Sequence, residues 1–173
     1  MTLWKNGGFI ADGFRHAGDD EPLGDDAAVI VSLTRFRAER EALLARAAPL
    51  GLRIEPGSDW TGLVQDLPRF DVIAVSLPKF ADGRAFSIGR LLRERDGFAS
   101  ELRAVGGFFL DQIPYLRRVG FDRFEKDDPL VLKGLAEGRW PEVPEYLQPA
   151  GERDEVPAGT RPWARRPLAR AAE

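Results

Sequence analysis

The feature that most constrains this chain is a regular alternation of short apolar runs and helix-type segments. The clearest run covers residues 70–77, is rich in Val and Ile, and ends at Pro78, whose ring removes a backbone donor. Such a run is typical of a strand that is buried on both faces. Five strand–helix units follow one another between residues 27 and 138, and this alternation predicts a parallel sheet with right-handed crossovers.

Apolar periodicity, helix caps and Gly or Pro stops set the bounds of these elements. The predicted strands cover residues 27–33, 52–55, 70–77, 100–105 and 121–125, and the predicted helices cover residues 35–48, 60–67, 84–95, 109–119 and 129–138. Thr34 is the predicted cap of the first helix. Asp128 is the predicted cap of the last helix, with Pro129 at its first position.

We predict a single-domain three-layer sandwich of the flavodoxin-like type, an α/β fold with a parallel five-stranded sheet. A β-hairpin precedes it, because Asn6, Gly7 and Gly8 form a turn sequence between two short apolar runs. A partial (β/α) barrel is the alternative, since the sequence does not separate an open sheet from a curved one. The α/β domain with its hairpin spans residues 1–138.

The remainder, residues 139–173, is rich in proline and is predicted to be an extended tail that is partly disordered. Its aromatic residues Trp140, Tyr146 and Trp163 need a burial place. They find it either across the domain or on a second subunit, and the second case would make the chain a homodimer.

Composition excludes several kinds of chemistry. The chain has no cysteine, which excludes disulfides, thiol redox chemistry and thiolate-held metals or iron–sulfur clusters. It has one histidine, His16, which lies in a polar stretch and is predicted to be a solvated loop residue rather than a base or ligand. No metal site and no cofactor are evident, so a redox role would require a non-covalently bound flavin or NADP, or a partner protein.

Charge and hydropathy bear on partners and location. The net charge is −3, and the basic residues near the end of the chain are too few to predict nucleic-acid binding. No apolar run approaches the roughly 20 residues of a membrane helix, and residues 1–9 do not read as a secretory signal. We therefore expect a cytoplasmic protein that binds neither nucleic acid nor membrane.

The best site candidate is the joint after the third predicted strand. Ligands of open parallel sheets bind at the carboxyl ends of the strands, and here a helix start follows such an end. Free amide donors and the positive end of the helix dipole favour an anion, which nearby cationic and hydroxyl groups would also bind. The predicted anion ligands here are Lys79, Asp82, Gly83, Arg84 and Ser87. The simpler interpretation is that Asp82 caps the helix, Gly83 relieves the turn and Arg84 pairs with a surface carboxylate.

Two further features lie on and beyond the next strand. Glu101 and Arg103 share one face of it, and charges in a central strand are costly unless paired. Either this strand lies near an edge, or Arg103 reaches a partner such as Asp111 or a bound anion, and a structural ion pair is the simpler interpretation. Asp111 and Gln112 open the following helix and could support the same site. The adjacent glycines 106–107 lack the full GxGxxG spacing, so they are weak evidence for a dinucleotide.

The serial motifs of residues 78–125 resemble the bacterial family catalogued as domain of unknown function nine hundred thirty-four. The family pattern is similar to F-x-DGR-x-(Y/F)-S, LLRxRxG(Y/F), GELRA(I/V)G and DQ…RxGFD, which match Phe80, residues 82–84, 86–87, 91–98, 101–106, 111–112 and 118–122. The chain departs from it in three ways: an acidic and a basic residue are missing within 106–112, Val119 stands where many members have Cys, and Ser100 replaces a Gly.

The resemblance implies a role beside sirohaem sulfite reductase, because members are often labelled as oxidoreductases involved in sulfite reduction. We therefore expect an accessory protein of assimilatory sulfate and sulfite reduction that docks on the reductase or its electron donor through arginine-rich helix faces. One alternative is an enzyme or sensor that binds a sulfur oxyanion or a phosphate-bearing ligand at the strand ends. The other is a flavin- or nicotinamide-dependent oxidoreductase.

Overall fold

The computed structural model describes residues 2–5, 7–139, 141, 155–158 and 161–167, the last two ranges as backbone only. Within them, eight strands form one mixed sheet: β1 (Thr2–Lys5), β2 (Gly8–Ile10), β3 (Arg15–His16), β4 (Val29–Ser32), β5 (Leu50–Ile54), β6 (Val72–Leu77), β7 (Glu101–Gly106) and β8 (Arg123–Lys126). Two more strands, β9 (Glu155–Ala158) and β10 (Arg161–Pro167), pair with each other in an antiparallel sheet.

Five α-helices occur in the same residues: α1 (Leu33–Ala38), α2 (Arg40–Ala45), α3 (Arg84–Arg90), α4 (Ile113–Arg118) and α5 (Pro129–Ala136). One turn of π-helix, Leu91–Arg95, continues α3, and 3₁₀ segments cover Thr61–Arg69 and Leu110–Gln112. The predicted helix 35–48 is in fact two short helices that meet at Glu39, whose φ and ψ are not helical.

The two predicted caps have different outcomes. Asp128 caps α5 as predicted, since its side chain accepts hydrogen bonds from the backbone N–H groups of Leu130 and Val131. The prediction that Thr34 caps α1 is wrong. Ser32 does so, with its Oγ accepting a 3.0 Å bond from the N–H of Arg35. The helix therefore starts directly at the end of β4, which shortens the joint between strand and helix.

The strand order decides between the two predicted architectures. Across the sheet the order is β2-β1-β8-β7-β6-β5-β4-β3, so the six strands from β3 to β8 are parallel and adjacent in chain order. A flavodoxin-like sheet requires one reversal of order, which places helices on both faces. Without a reversal, right-handed crossovers place every connection on one face and the sheet curls. The flavodoxin-like five-stranded sheet is not what forms. The sheet is a curled half-barrel, as in the partial-barrel alternative.

The predicted N-terminal hairpin is present and extends this half-barrel. β1 pairs antiparallel with β2, and the turn contains Gly7 at φ +99°. On its other side β1 pairs antiparallel with β8. The sheet thus has eight strands rather than five, because the hairpin joins it at one edge and β3 joins it at the other.

The two faces of the sheet have different contents. The convex face carries the main core against the helices, including Val31, Leu52, Ile73 and Phe124, all essentially buried. The concave face has only a small apolar cluster of Ile30, Val72, Ala74 and Val105, against which Phe14 packs. Apart from Gly51, the other residues that the six parallel strands place on this face are polar or charged, whereas the hairpin adds Leu3 beside Glu125. The polar and charged side chains that could bind a ligand are therefore concentrated in the interior of the half-barrel.

The predicted tail, residues 139–173, lies mostly outside the described residues. Its described part comprises Arg139, Pro141 and the backbones of β9 and β10, and the antiparallel pairing of these strands was not predicted. Trp140 and Tyr146 lie outside the described residues, and only the backbone of Trp163 in β10 is described, so the burial proposed for these side chains stays a prediction. The division at residue 138 and the homodimer stay predictions.

Tight packing across the concave face gives a first test. A Cβ added to Gly51 would overlap the Cγ1 atoms of Val72 and Ile30, whereas a Cβ on Gly62 would meet nothing within 4 Å. We expect Gly51→Ala to lower the free energy of unfolding by about 1–3 kcal/mol, the usual cost of overpacking a core. Urea denaturation measures it, with Gly62→Ala as the matched control. Equal stabilities of the two variants would contradict the close packing of β4, β5 and β6.

Candidate functional site

A buried ion-pair network occupies the concave face, and Arg103 is its centre. The Arg103 side chain is 1% exposed. Its guanidinium donates to Asp12 at 2.6 and 3.0 Å, to Glu101 at 2.8 Å and to Glu125 at 2.8 Å. Burial opposes its charge, but these hydrogen bonds and charges raise the pKa of Arg103 further above its ordinary value. Arg103 therefore forms the structural ion pair that was predicted for it, but its partners are Asp12, Glu101 and Glu125 rather than Asp111.

The network continues to His16, which is not the solvated loop residue that the sequence predicted. His16 lies on β3, is half-buried, and its Nε2 lies 2.9 and 3.0 Å from the two carboxylate oxygens of Glu125 on β8. β3 and β8 are the two outer strands of the six parallel ones, so this contact spans the open side of the half-barrel. The sheet curls far enough for its first and last parallel strands to meet through side chains.

The protonation states in this pair follow from the geometry. Burial raises the pKa of Glu125, but hydrogen bonds from His16 and Arg103 outweigh it and hold the pKa below its ordinary value of 4.5. Glu125 is therefore an acceptor, and Nε2 of His16 carries a hydrogen. The other ring nitrogen, Nδ1, is buried and has no hydrogen-bond partner among the described residues.

A cavity of about 300 Å³ opens beside His16 at the carboxyl ends of the parallel strands. This is the edge at which α/β folds with parallel strands bind ligands. Its lining comes from four strands and the residues directly after them: His16, Arg53, Glu55, Ser76, Leu77, Pro78, Val105 and Gly106. We refer to this cavity as the mouth. A guanidinium, an imidazole, a hydroxyl and a carboxylate line this one opening, next to the buried ion-pair network around Arg103.

The polar groups of the mouth are loosely arranged around Glu55. Arg53 Nε lies 3.2 Å from Glu55 Oε1, but this nitrogen makes no hydrogen bond to a described residue. Ser76 Oγ donates to the same carboxylate at 2.8 Å. The Glu55 side chain is 51% exposed, so it is free to turn towards solvent. An incoming anion could therefore take its place as the partner of Arg53 and Ser76.

The predicted anion joint after β6 forms a separate, more exposed arrangement. Asp82 accepts from Arg84 Nε at 2.9 Å and Nη2 at 2.7 Å, and also from the Arg84 backbone N–H at 3.2 Å. These bonds lower the pKa of the Asp82 carboxyl to about 2. Gly83 is the N-cap of α3, with φ −76°, and Ser87 is an exposed residue of that helix. The carboxylate of Asp82 thus already holds the guanidinium that an external anion would use. Anion binding at this joint stays a prediction.

The structure does not bring all the predicted ligands into contact with one another. Arg103 binds carboxylates on the concave face, and Asp111, which we considered as its partner, is an exposed residue on the 3₁₀ segment before α4. Gln112 is buried and structural: its Oε1 accepts from the Phe109 N–H at 3.0 Å, and its Nε2 donates to the Phe80 carbonyl at 3.4 Å. Lys79 is exposed at the joint itself.

Sequence reasoning missed three residues of the mouth. His16 was assigned to a loop because β3 has only two residues, too few to give a periodic signal. Arg53 and Ser76 stand in apolar runs, where they were treated as part of the strand. The alternation of side chains along a strand could have identified Arg53. Gly51, Arg53 and Glu55 fall on the same face of one strand, at the end where ligands bind.

The arginine-rich helix faces, expected to dock a partner, are largely paired within the chain. Arg90 donates to Glu94 at 2.7 Å and Arg95 to Asp96 at 2.6 Å. Arg93 donates to the backbone carbonyls of Phe98, Ser100 and Gly120. These arginines therefore stabilise the fold through bonds within the chain, and they do not need a partner protein to be paired. Docking to sulfite reductase or to its electron donor stays a prediction.

The described residues contain neither a candidate membrane-spanning helix nor a candidate metal site. No described helix has both the length and the apolar character needed to cross a membrane. Within the same residues, no group of three or more His, Asp or Glu side chains is arranged to hold a metal ion. The acidic groups of the concave face are instead bound to guanidinium groups.

The network around Arg103 gives a second test. Replacing Arg103 by Met leaves buried carboxylates without a counter-charge, and we expect a loss of about 3–5 kcal/mol in unfolding free energy. The matched control is Arg90→Met, which breaks an exposed pair with Glu94 and should cost less than about 1 kcal/mol. Adding Glu125→Gln to Arg103→Met should recover part of the loss. Equal effects of the two arginine replacements would show that the network does not stabilise the fold.

A third test concerns acid stability. Because the pKa of Glu125 is lower in the folded chain than its ordinary value, its ionised form stabilises the fold above that value, and the contribution is lost as the pH falls through the folded pKa. The difference in unfolding free energy between wild type and Glu125→Gln should therefore be larger at about pH 7 than at about pH 3. Denaturation curves at both pH values measure it. A difference independent of pH would contradict the ion pairs of Glu125.

Comparisons with known proteins give a family but no individual relative. Curated proteins and solved structures yield no match. A family model described as "Bacterial protein of unknown function (DUF934)" matches residues 51–155, more than half of the chain. The matched region contains Arg53, Glu55 and Ser76 of the mouth, whereas His16 precedes it. The resemblance found in the motifs is thereby confirmed, and the chain belongs to this bacterial family.

Proposed function

We propose that the protein binds a small oxyanion, either a sulfur oxyanion or the phosphate of a larger ligand, in the mouth of its half-barrel. We further propose that it serves in this way as an accessory protein of assimilatory sulfate and sulfite reduction, acting with sirohaem sulfite reductase or its electron donor. The observation that carries the binding proposal is the mouth itself, where Arg53, Ser76 and His16 meet at the carboxyl ends of parallel strands.

The size and chemistry of the mouth support a small ligand. A volume of about 300 Å³ lies at the lower end of the range for ligand pockets. A guanidinium and a hydroxyl are donors that suit tetrahedral and pyramidal oxyanions. In the free protein Glu55 accepts a hydrogen bond from Ser76 and lies 3.2 Å from Arg53, so ligand binding would exchange one carboxylate for one oxyanion. Gly106, at φ +106°, brings backbone rather than a side chain to the rim.

The pathway proposal is supported by family membership together with the sulfite-reduction setting that the motif resemblance implies. The absence of cysteine from the sequence fits an accessory role, because the chain cannot supply a thiol or a thiolate-held cluster for electron transfer. A protein that presents an oxyanion, or senses it, needs neither.

Binding is tested with sulfate, sulfite and phosphate by isothermal titration calorimetry. We expect Arg53→Gln to weaken the binding of the preferred anion about tenfold or more, the usual effect of removing a charged hydrogen bond. Ser76→Ala should weaken it less, and Glu55→Gln should strengthen it, because the competing carboxylate is lost. Arg90→Gln is the matched control for charge. Binding that depends on Arg84 and not on Arg53 would place the anion at the predicted joint and overturn the proposal for the mouth.

The role in the pathway is tested by deleting the gene and growing the bacterium on sulfate, sulfite or sulfide as sulfur source. We expect growth to fail on sulfate and sulfite and to be rescued by sulfide. A plasmid copy of wild type or Arg90→Gln should restore growth, and a copy of Arg53→Gln should not. Normal growth of the deletion strain on sulfate would overturn the pathway assignment.

A further inference from the structure

Two exposed aromatic rings lie on the loops that leave the two central strands of the mouth. Leu77 on β6 and Gly106 on β7 are register partners, and both line the mouth. Phe80 and Phe109 each follow three residues later, so their Cα atoms lie at most about 10 Å from those of the register pair. Phe80 is 56% exposed and Phe109 is 46% exposed. Because large aromatic side chains usually contribute to a core, an exposed pair beside a ligand cavity indicates a contact surface.

The two loops are fixed against each other. The backbone N–H of Gly107 donates to the Leu77 carbonyl at 2.6 Å, and a Cβ on Gly107 would lie only 2.8 Å from that oxygen, so this approach requires glycine. The buried side chain of Gln112 joins the two aromatic residues. Its Oε1 accepts from the Phe109 N–H at 3.0 Å, and its Nε2 donates to the Phe80 carbonyl at 3.4 Å. The rings are therefore exposed but carried on a rigid backbone.

The rings form a defined pair, which we call the aromatic pair. Their centroids lie 5.5 Å apart, with 68° between the ring planes. Lys126 approaches Phe109, with its Nζ 5.7 Å from the ring centroid, and donates to the Gly106 carbonyl at 2.7 Å. Its ammonium group thus adds a positive charge between the aromatic pair and the mouth, where the oxyanion of a ligand would be attracted to it.

We propose that the ligand of the mouth is an organic phosphate or sulfate ester that carries a planar aromatic ring, as a nucleotide does. Its oxyanion is bound by Arg53 and Ser76, and its ring stacks on the aromatic pair. The inference rests on the proposed function and deepens it, since it names the class of the ligand. The negative face of a phenyl ring repels an anion, so the aromatic pair does not serve the oxyanion itself. A planar base, in contrast, stacks on such rings whatever its sequence of donors and acceptors.

Two probes that differ only in the ring test this on the wild-type protein. Adenosine 5′-phosphate (AMP) and ribose 5-phosphate carry the same phosphate on the same sugar, and only AMP has a base. Isothermal titration calorimetry of the full chain should give an affinity about tenfold or more higher for AMP, the usual effect of stacking one base. Arg53→Gln should weaken both probes, because both need the phosphate contact. In saturation-transfer NMR, the base protons of AMP should receive more saturation than its ribose protons.

Replacement of both rings by Leu tests the aromatic pair itself. Phe80→Leu combined with Phe109→Leu keeps apolar side chains but removes the ring faces. We expect this double variant to lose most of the advantage of AMP and to bind ribose 5-phosphate as wild type does. Tyr115→Leu is the matched control, because Tyr115 is a 50% exposed aromatic residue on α4 and outside the two loops. Circular dichroism checks that each variant is folded.

The outcomes separate the two proposals. Binding of phosphate or sulfate that requires Arg53, without an advantage for AMP in wild type, would overturn the stacking role and leave the oxyanion site intact. An advantage for AMP that survives the loss of both rings would do the same. Binding of AMP that requires the rings but is indifferent to Arg53→Gln would overturn the shared ligand. No binding of any oxyanion, with or without a ring, would overturn the oxyanion site and the inference with it.

Discussion

The interior of the half-barrel depends on one buried guanidinium. Arg103 lies at the middle of β7, and its bonds to Asp12, Glu101 and Glu125 join the loop before β3, its own strand and β8. Since each ion would be very costly to bury alone, the four groups are stable only as a set. Glu125 then extends the set to His16, and this contact links the two ends of the parallel sheet. The charges thus hold the curl of the sheet from its concave side.

The strand order explains why these charges are there. Six parallel strands in chain order send every helix to the convex face, so the main core forms on that side and the concave face has only a small apolar cluster. A concave face without helices must be filled by its own side chains or left open to solvent. Here it is filled with ion pairs at the centre and opens at the carboxyl ends of the strands. The mouth is therefore a consequence of topology, and its polar lining continues the network beneath it.

Much of the fold could be predicted because each strand–helix unit carries a local signal. The five apolar runs and the stop at Pro78 are visible in the sequence, and Asp128 acts as the cap that its spacing indicated. The curl could not be predicted in this way, since strand order is set by packing between distant units. The family was readable because its motifs are long and occur in series within residues 78–125.

The site was harder to predict for the same physical reason. Asp82 and Arg84 are neighbours in sequence, so their chemistry was visible, and the structure shows them bound to each other. His16 and Glu125 are 109 residues apart, and no local sequence pattern predicts their contact. The charged pair Glu101 and Arg103 was the one sign of the network that sequence could give, because charges in a central strand need partners.

The proposed function requires that the mouth hold an oxyanion between Arg53, Ser76 and His16. Crystals grown without sulfate or phosphate and soaked in selenate would test it most directly, because selenium is an anomalous scatterer in an ion shaped like sulfate. We expect an anomalous peak in the mouth, within hydrogen-bonding distance of Arg53 and Ser76, with Glu55 turned towards solvent. A peak at Arg84 with an empty mouth, or no peak at all, would contradict it.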